Sequence, residues 1–333
     1  MEHSVENTYV AVENGEYVTK KEAFSLKAEP DHIIIKVAYS TCDPYDGICS
    51  HLFKSEGIRL GGEACGQIVS VGEGAPQDLL NKKVSFHKQG CWSNYVQIKA
   101  SDPFIVLHDS QELKKAASSW INPLTVLGQL EILESRTSKT FVASAAASTL
   151  NKMLIKLVKE KGYEAICIVR REEQAKILRE EFGVKHVFLQ DSPTFEKDYK
   201  AVAAELKPAV FFDAVGGGAP TTVPVFESLQ PGGIMTVIAC LTGKPVPINT
   251  YDILFNDKTL NSYLVFPWAL KLTPELRQKY FKQVADDLAL NDGKIFGTHF
   301  TREIPLENWK EALEIYQDVA SKEGAKVIIK CNP

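Results

Sequence analysis

Residues 139–162, KTFVASAAASTLNKMLIKLVKEKG, decide the fold of this chain. A short apolar run, TFVA, is followed by a turn of small residues and then by apolar residues three and four positions apart, among them Met153, Leu157 and Val158. The first pattern is typical of a strand buried on both faces, and the second of an amphipathic helix. The stretch therefore predicts a strand, a tight turn and a helix.

The same alternation extends from about residue 119 to residue 262. The further apolar runs are AICIVR, HVFLQ, AVFFDAV and IMTVIAC, and helical segments separate them. Regular alternation of this kind predicts an α/β domain with a doubly wound parallel sheet, the Rossmann arrangement.

The two ends of the chain are different. Residues 1–118 contain short β runs bounded by turns, such as HIIIKVAYS and ACGQIVSVGEG, and they predict an antiparallel, partly barrel-like domain. Residues 263–333 carry two helices and a last apolar run, AKVIIKC, which we expect to return to the first domain as a strand.

Composition excludes several classes of function. The formal net charge is −4 over 333 residues, and the basic residues are dispersed, so we expect neither a nucleic-acid nor a membrane partner. The amino-terminal residues MEHSVENTYV have neither the basic start nor the apolar core of a signal peptide, and we expect a cytoplasmic protein. Seven scattered cysteines suggest reduced thiols.

The turn after the first parallel strand resembles a phosphate-binding turn without glycines. The three glycine positions are held by Ala145, Ser148 and Asn151. These residues are small enough at the first two positions to let an anion approach the amides of the helix start, and the hydroxyls of Ser144, Ser148 and Thr149 could donate to phosphate oxygens. The alternative is an ordinary strand-to-helix turn with a hydroxyl cap.

The next strand ends in arginine where an NAD-binding domain needs a carboxylate. Arg170 and Arg171 follow AICIV, and a guanidinium suits the 2′-phosphate of NADP(H). The position therefore favours NADP(H) over NAD(H). In the alternative interpretation the two arginines pair with Glu172 and Glu173 at a solvated helix start.

In their order along the chain, several motifs resemble the medium-chain dehydrogenase/reductase superfamily, in its zinc-free branch of quinone oxidoreductases and enoyl reductases. They are GGEACGQIVSVGEGA, INPLTVLGQLEIL, the phosphate-turn helix, FFDAVGGG, LQPGGIMTVIA and ILFNDKTLNSYLVFPW. The resemblance implies a β-rich, GroES-like catalytic domain made from both ends of the chain, an inserted NADP-binding Rossmann domain, and an active site in the cleft between them. It also implies a homodimer.

The resemblance further implies that no catalytic zinc is bound. Where zinc-dependent members carry their ligands, this chain has Asp43, or Cys42 if the register shifts by one, then Gly62, and finally the stretch SSWIN at residues 118–122. We expect Glu63, which follows Gly62, to bond backbone at the domain junction.

Without a metal, hydride transfer requires an acceptor that is already electrophilic, such as a quinone or an alkene conjugated to a carbonyl. The resemblance places Tyr45, after Pro44, next to the substrate, where its hydroxyl could donate a proton; packing is the alternative role. The stretch HLFKSEG at residues 51–57 lacks the tyrosine of mitochondrial-type enoyl reductases, which argues against acyl-thioester specificity.

The remaining expected cofactor contacts come from the same resemblance. Asn122 and Thr125 are placed near the nicotinamide ribose and carboxamide, with helix caps as the alternative. Glycines after FFDAV would let backbone approach the nicotinamide, with a bare turn as the alternative. These glycines and the residues expected at later strand ends are Gly216, Gly217, Cys240, Leu241 and Phe266.

Together these observations predict an NADPH-dependent reductase of quinones or α,β-unsaturated carbonyl compounds, with 2-enoyl thioesters as a narrower possibility. The alternative is a redox sensor or scaffold of the same fold, which binds the cofactor without catalysis.

Overall fold

The computed structural model describes residues 4–43, 46, 55–322 and 326–332, which form two compact units. The first unit consists of the chain up to Leu124 together with the chain from Ala269 onward, and the second is Thr125–Trp268. Both boundaries lie six residues later than the sequence predicted. Tyr263, near the end of the second unit, packs directly against Gly128 near its start. Any side chain at position 128 would clash there, because its first carbon would lie 2.0 Å from the Tyr263 hydroxyl.

The first unit is built mostly from antiparallel strands, and its one parallel pair within the described ranges joins β14 and β15. A separate hairpin pairs β1 (Ser4–Glu13) with β2 (Glu16–Ser25). The other strands are β3 (His32–Cys42), β4 (Glu63–Val71), β5 (Lys83–His87), β6 (Tyr95–Lys99), β7 (Phe104–Val106), β14 (Phe300–Pro305) and β15 (Lys326–Lys330). They form one sheet in the order β14-β15-β3-β4-β5-β7, with β6 also paired to β3.

The last strand does return to the first unit, as predicted. β15 lies between β14 and β3, and Val327 pairs with Cys42 across the antiparallel ladder. The core of this unit includes the buried rings of Trp92 and Trp309, whose centroids are 6.5 Å apart.

The second unit is a parallel sheet with the order β10-β9-β8-β11-β12-β13. Its strands are β8 (Thr140–Ala143), β9 (Glu164–Val169), β10 (His186–Leu189), β11 (Val210–Asp213), β12 (Ile234–Val237) and β13 (Thr259–Ser262). Every residue of β8 and β11 is buried, which is why these strands are mostly apolar. A parallel sheet inserted in an antiparallel β unit confirms the predicted fold class.

Helices connect and flank these strands. In chain order they are α1 (Leu113–Ala116), α2 (Ile121–Glu134), α3 (Thr149–Lys159), α4 (Glu172–Glu180), α5 (Phe195–Leu206), α6 (Thr222–Glu227), α7 (Thr250–Asn256), α8 (Val265–Lys271), α9 (Pro274–Leu290) and α10 (Trp309–Lys322). No helix within the described ranges combines the length and the apolar character needed to cross a bilayer.

Candidate cofactor site

The strand order of the second unit creates one place where a ligand is expected. The chain moves outward from β8 to β9 and β10 and then returns to β11, on the other side of β8. In open parallel sheets, ligands bind outside the carboxyl ends of the strands at such a reversal of order. The turn at residues 144–148 follows β8, Arg170 follows β9, and residues 214–218 follow β11, so the predicted residues meet at this edge.

The turn keeps the geometry that glycine usually provides. Ala145 has a φ of +47°, in the left-handed region that favours glycine. Ser148 is the N-cap of α3, and its hydroxyl oxygen accepts from the Asn151 backbone N–H at 3.3 Å. The earlier first-turn amides, those of Thr149 and Leu150, have no acceptor within the helix, and such amides can donate to an anion.

Asn151 stabilises the turn from inside. Its Nδ2 donates to the carbonyl of Ser144 at 2.9 Å and to that of Ala145 at 3.3 Å, and the side chain is fully buried. A glycine at this position could make neither bond. The asparagine therefore ties the start of α3 to the left-handed turn.

The hydroxyl of Ser144 bonds within the protein. It donates to Asp213 Oδ1 at 2.7 Å and accepts from the Ala214 backbone N–H at 2.8 Å. The side chain is buried, and phosphate binding by this hydroxyl stays a prediction. Asp213, which ends β11, was missed in the sequence because its partner is 69 residues away.

The conformation of Ala145 gives a testable expectation. Ala145→Gly should leave the free energy of unfolding unchanged or raise it by up to about 1 kcal/mol, because relief of the left-handed strain offsets the entropy of the added glycine. The exposed Ala201, within α5, is the matched control. Ala201→Gly should lower the free energy of unfolding by about 1 kcal/mol in the same urea titration. An equal loss in both variants would contradict the assignment of strain to Ala145.

The arginines lie at the tip of β9 and the start of α4. The backbone N–H groups of Arg170 and Arg171 both donate to Gln174 Oε1, at 3.2 and 3.3 Å, which fixes the approach to the helix. Arg170 is exposed and Arg171 half-buried. Glu172 pairs with Arg179 at 2.6 Å, so one of the two carboxylates proposed to neutralise the arginines has another partner.

The glycines after β11 are explained partly by the neighbouring loop. A side-chain carbon on Gly217 would lie 1.7 Å from the Pro245 carbonyl oxygen, and the Gly217 N–H donates to the Lys244 carbonyl at 3.0 Å. Gly216 has a φ of +80° and more room. Close packing of residues 242–245 therefore requires Gly217 whether or not a cofactor binds.

The other predicted contacts lie on the later loops and helices. Cys240 and Leu241 are exposed on the loop after β12. Phe266 is half-buried in α8. Asn122 is half-buried and Thr125 is buried in the first turns of α2.

Comparison with known proteins adds to this geometry. A family model described as zinc-binding dehydrogenase matches residues 150–278, from the helix of the phosphate turn, past the last strand of the parallel sheet, into α9. The structure of Escherichia coli quinone oxidoreductase complexed with NADPH covers 98% of this chain and 100% of its own, with a TM-score of 0.81 and 19% identity. Both matches agree with the resemblance to the medium-chain dehydrogenase/reductase superfamily that the sequence motifs indicated.

Two relatives fall in the quinone and enoyl reductase branch of this superfamily. The mitochondrial enoyl-[acyl-carrier-protein] reductase of Xenopus tropicalis is 24% identical over 60% of this chain and 57% of its own length. The NADPH quinone oxidoreductase of Kluyveromyces marxianus is 24% identical over 62% of this chain and 56% of its own. The chain thus covers less than two thirds of either relative.

Glu63 bonds backbone, as the sequence predicted. Its Oε1 accepts from the backbone N–H groups of Trp120 at 2.6 Å and Ile121 at 2.8 Å. The carboxylate thereby caps the start of α2, so that neither Asn122 nor Thr125 is needed as the cap.

Two of the positions that correspond to the zinc ligands of zinc-dependent relatives contact a lysine in this chain. Lys326 Nζ lies 3.0 Å from Asp43 Oδ1 and also contacts the Ser118 hydroxyl. Within the described ranges, no three His, Cys, Asp or Glu side chains are grouped to hold a metal ion. The buried ammonium was missed in the sequence, where AKVIIKC reads only as a strand.

This cluster shifts the titration of its carboxyls. Burial raises the pKa of Glu63 to about 7, although Lys326 and the two backbone donors act to lower it. Burial, followed by repulsion from Asp43, raises the pKa of Asp46 well above its usual range. Tyr45, the predicted proton donor, lies outside the described residues.

Proposed function

We propose that this chain is a cytoplasmic, zinc-independent oxidoreductase that uses NADPH to reduce quinones or α,β-unsaturated carbonyl compounds, with 2-enoyl thioesters as a narrower alternative. The observation that carries the proposal is the sheet edge at the end of β8 and β9. A left-handed turn, a capped helix start and two arginines stand there in the arrangement that suits a 2′-phosphorylated dinucleotide.

The residues of this edge have distinct proposed roles. The amides of Thr149 and Leu150 would hold the pyrophosphate, and Arg170 and Arg171 would bind the 2′-phosphate. Residues 214–218 and 240–241 would hold the nicotinamide half. NADPH, when bound, supplies the hydride to the electrophilic carbon, and Tyr45 or water is the predicted source of the proton.

The direct test is turnover by the purified protein. We expect saturable oxidation of NADPH on addition of a simple quinone, an enone or crotonyl-coenzyme A. The loss of the absorbance of the reduced nicotinamide measures this oxidation. NADH should support the same reaction with a much lower kcat/KM. Binding of NADPH without oxidation above background by any of the three acceptors would contradict the enzyme and favour the sensor or scaffold.

The edge strand of the second unit supports the proposal of a homodimer. All four residues of β13 are exposed, and the outer edge of the strand ends the sheet. Close to it in sequence, Leu254 and Phe255 of α7 are 74% and 71% exposed. The stretch TLNSYLVF carries no charge, so antiparallel pairing of two copies would meet no like-charge repulsion.

Light scattering after gel filtration tests the dimer. We expect twice the monomer mass for the unaltered chain and a monomer for Leu260→Lys, which places like charges at the paired edges. Leu290→Lys, at a more exposed apolar position in α9 of the other unit, should remain a dimer. A monomeric unaltered chain at micromolar concentration would overturn the proposal.

A further inference from the structure

Ser144 and Asp213 join the two loops that flank the reversal of strand order. Ser144 directly follows β8 and begins the phosphate turn, whereas Asp213 ends β11 and begins the loop at 214–218. The hydroxyl of Ser144 donates to Asp213 Oδ1 at 2.7 Å and accepts from the Ala214 N–H at 2.8 Å. The backbone adds a bond at 3.1 Å from the Ser144 N–H to the Phe212 carbonyl.

The Asp213 carboxylate also shapes the loop that follows it. Oδ1 accepts from the Val215 N–H at 3.1 Å, and Oδ2 accepts from the Gly216 N–H at 2.9 Å. The side chain is fully buried, and these three donors satisfy it. One carboxylate therefore fixes both its own loop and the first residue of the phosphate turn.

A buried negative charge beneath an edge meant for phosphates needs a reason. A carboxylate close to an anion site weakens the binding of that anion by repulsion. The oxygens of Asp213 are occupied by donors from Ser144, Val215 and Gly216, which compensate its charge within the protein. The bonds between Ser144 and the end of β11 explain why a carboxylate is placed there, because they link two loops that strand pairing alone does not join.

We propose that Ser144 and Asp213 are a pair of positioning residues that hold the phosphate turn and the 214–218 loop at a fixed spacing. The inference rests on the proposed binding of NADPH. A dinucleotide would contact both loops at once, and its affinity depends on their relative position. A ligand that fills only the adenosine side would not sense that spacing.

The test compares a whole ligand with its half in the variant Ser144→Ala. We expect the Kd for NADPH to rise about 10-fold, because the hydroxyl that links the loops is lost and the Ala214 N–H loses its acceptor. The Kd for adenosine 2′,5′-bisphosphate should change less than about 2-fold. Fluorescence titration measures the first ligand, and calorimetry measures both.

Ser228→Ala is the matched control. Its hydroxyl donates to the Pro224 carbonyl at 2.7 Å, within the same unit and away from the sheet edge, so the variant removes a comparable bond. It should leave both affinities unchanged. Thermal unfolding of both variants reports any general loss of structure, and Asp213→Asn, which keeps the shape and removes the charge, should weaken NADPH more than the half ligand.

The outcomes separate this inference from the proposed function. If the unaltered chain binds neither ligand, NADPH binding itself is wrong. If the unaltered chain binds both, and Ser144→Ala weakens both equally or neither, the positioning role is overturned and the proposed function stands. A selective loss of NADPH affinity supports the pair.

Discussion

Alanine at both Arg170 and Arg171 is expected to weaken the binding of NADPH roughly 100-fold while leaving that of NADH almost unchanged. A charge-assisted hydrogen bond to a phosphate contributes about 1.5–3 kcal/mol, and two arginines at the tip of β9 can supply this to the 2′-phosphate. NADH lacks that phosphate, so it has no such contribution to lose. Fluorescence titration of the double variant with each nucleotide measures both effects.

Arg179→Ala is the control for the loss of an arginine from the same helix. Arg179 pairs with Glu172 at 2.6 Å and donates to the Val187 carbonyl at 3.1 Å, so it is held against the protein. The Kd of Arg179→Ala for NADPH should stay within about 2-fold of that of the unaltered chain. Equal weakening of NADPH and NADH in the double variant would mean that the arginines only support the fold of α4, and the cofactor preference would have to come from elsewhere.

The second large expected effect concerns stability and pH. The pKa of Glu63 in the folded protein, about 7, is above its ordinary value of 4.5, because burial penalises the charged form. The folded state therefore favours the protonated carboxyl, and stability falls as the pH rises from the ordinary pKa through the folded one. Between about pH 5.5 and pH 8 this group should cost about 2 kcal/mol of unfolding free energy.

Glu63→Gln should remove most of that loss. The amide oxygen can still accept from Trp120 and Ile121, and the group no longer ionises. Urea titrations at the two pH values measure the difference, and Asp46, whose pKa is also raised, should still contribute to the slope in this variant. Glu205→Gln, on the exposed side of α5, controls for the loss of one charge. An unchanged slope in Glu63→Gln would show that the carboxyl does not titrate in this range.

The parallel sheet could be predicted because burial dictates composition. β8 and β11 are covered on both faces, so each is an apolar run that the sequence displays, apart from Thr140 at the start of β8 and Asp213 at the end of β11. β13 is exposed along its whole length, and TLNS carries neither a continuous nor an alternating apolar pattern, so local reasoning passed over it. Strands could therefore be predicted where burial requires apolar residues, and not where exposure leaves the residue type open.

The candidate site shows the same contrast. Small residues at Ala145 and Ser148 and arginines after β9 are local features, and they indicated the cofactor edge. The ion pair between Asp43 and Lys326 joins residues from opposite ends of the chain, and the bond of Ser144 to Asp213 crosses the reversal of strand order. Neither contact leaves a mark in the local sequence, because each depends on which strands become neighbours.

The position of β15 sets the order in which the chain can complete its structure during synthesis. The unit Thr125–Trp268 is continuous, so its sheet can close while later residues are still being translated. The other unit must wait for Val327 and its neighbours, and until then the Tyr39–Cys42 edge of β3 lacks its partner. A nascent chain therefore exposes one unpaired strand edge for most of its synthesis, and that edge is the surface on which we expect chaperones to act.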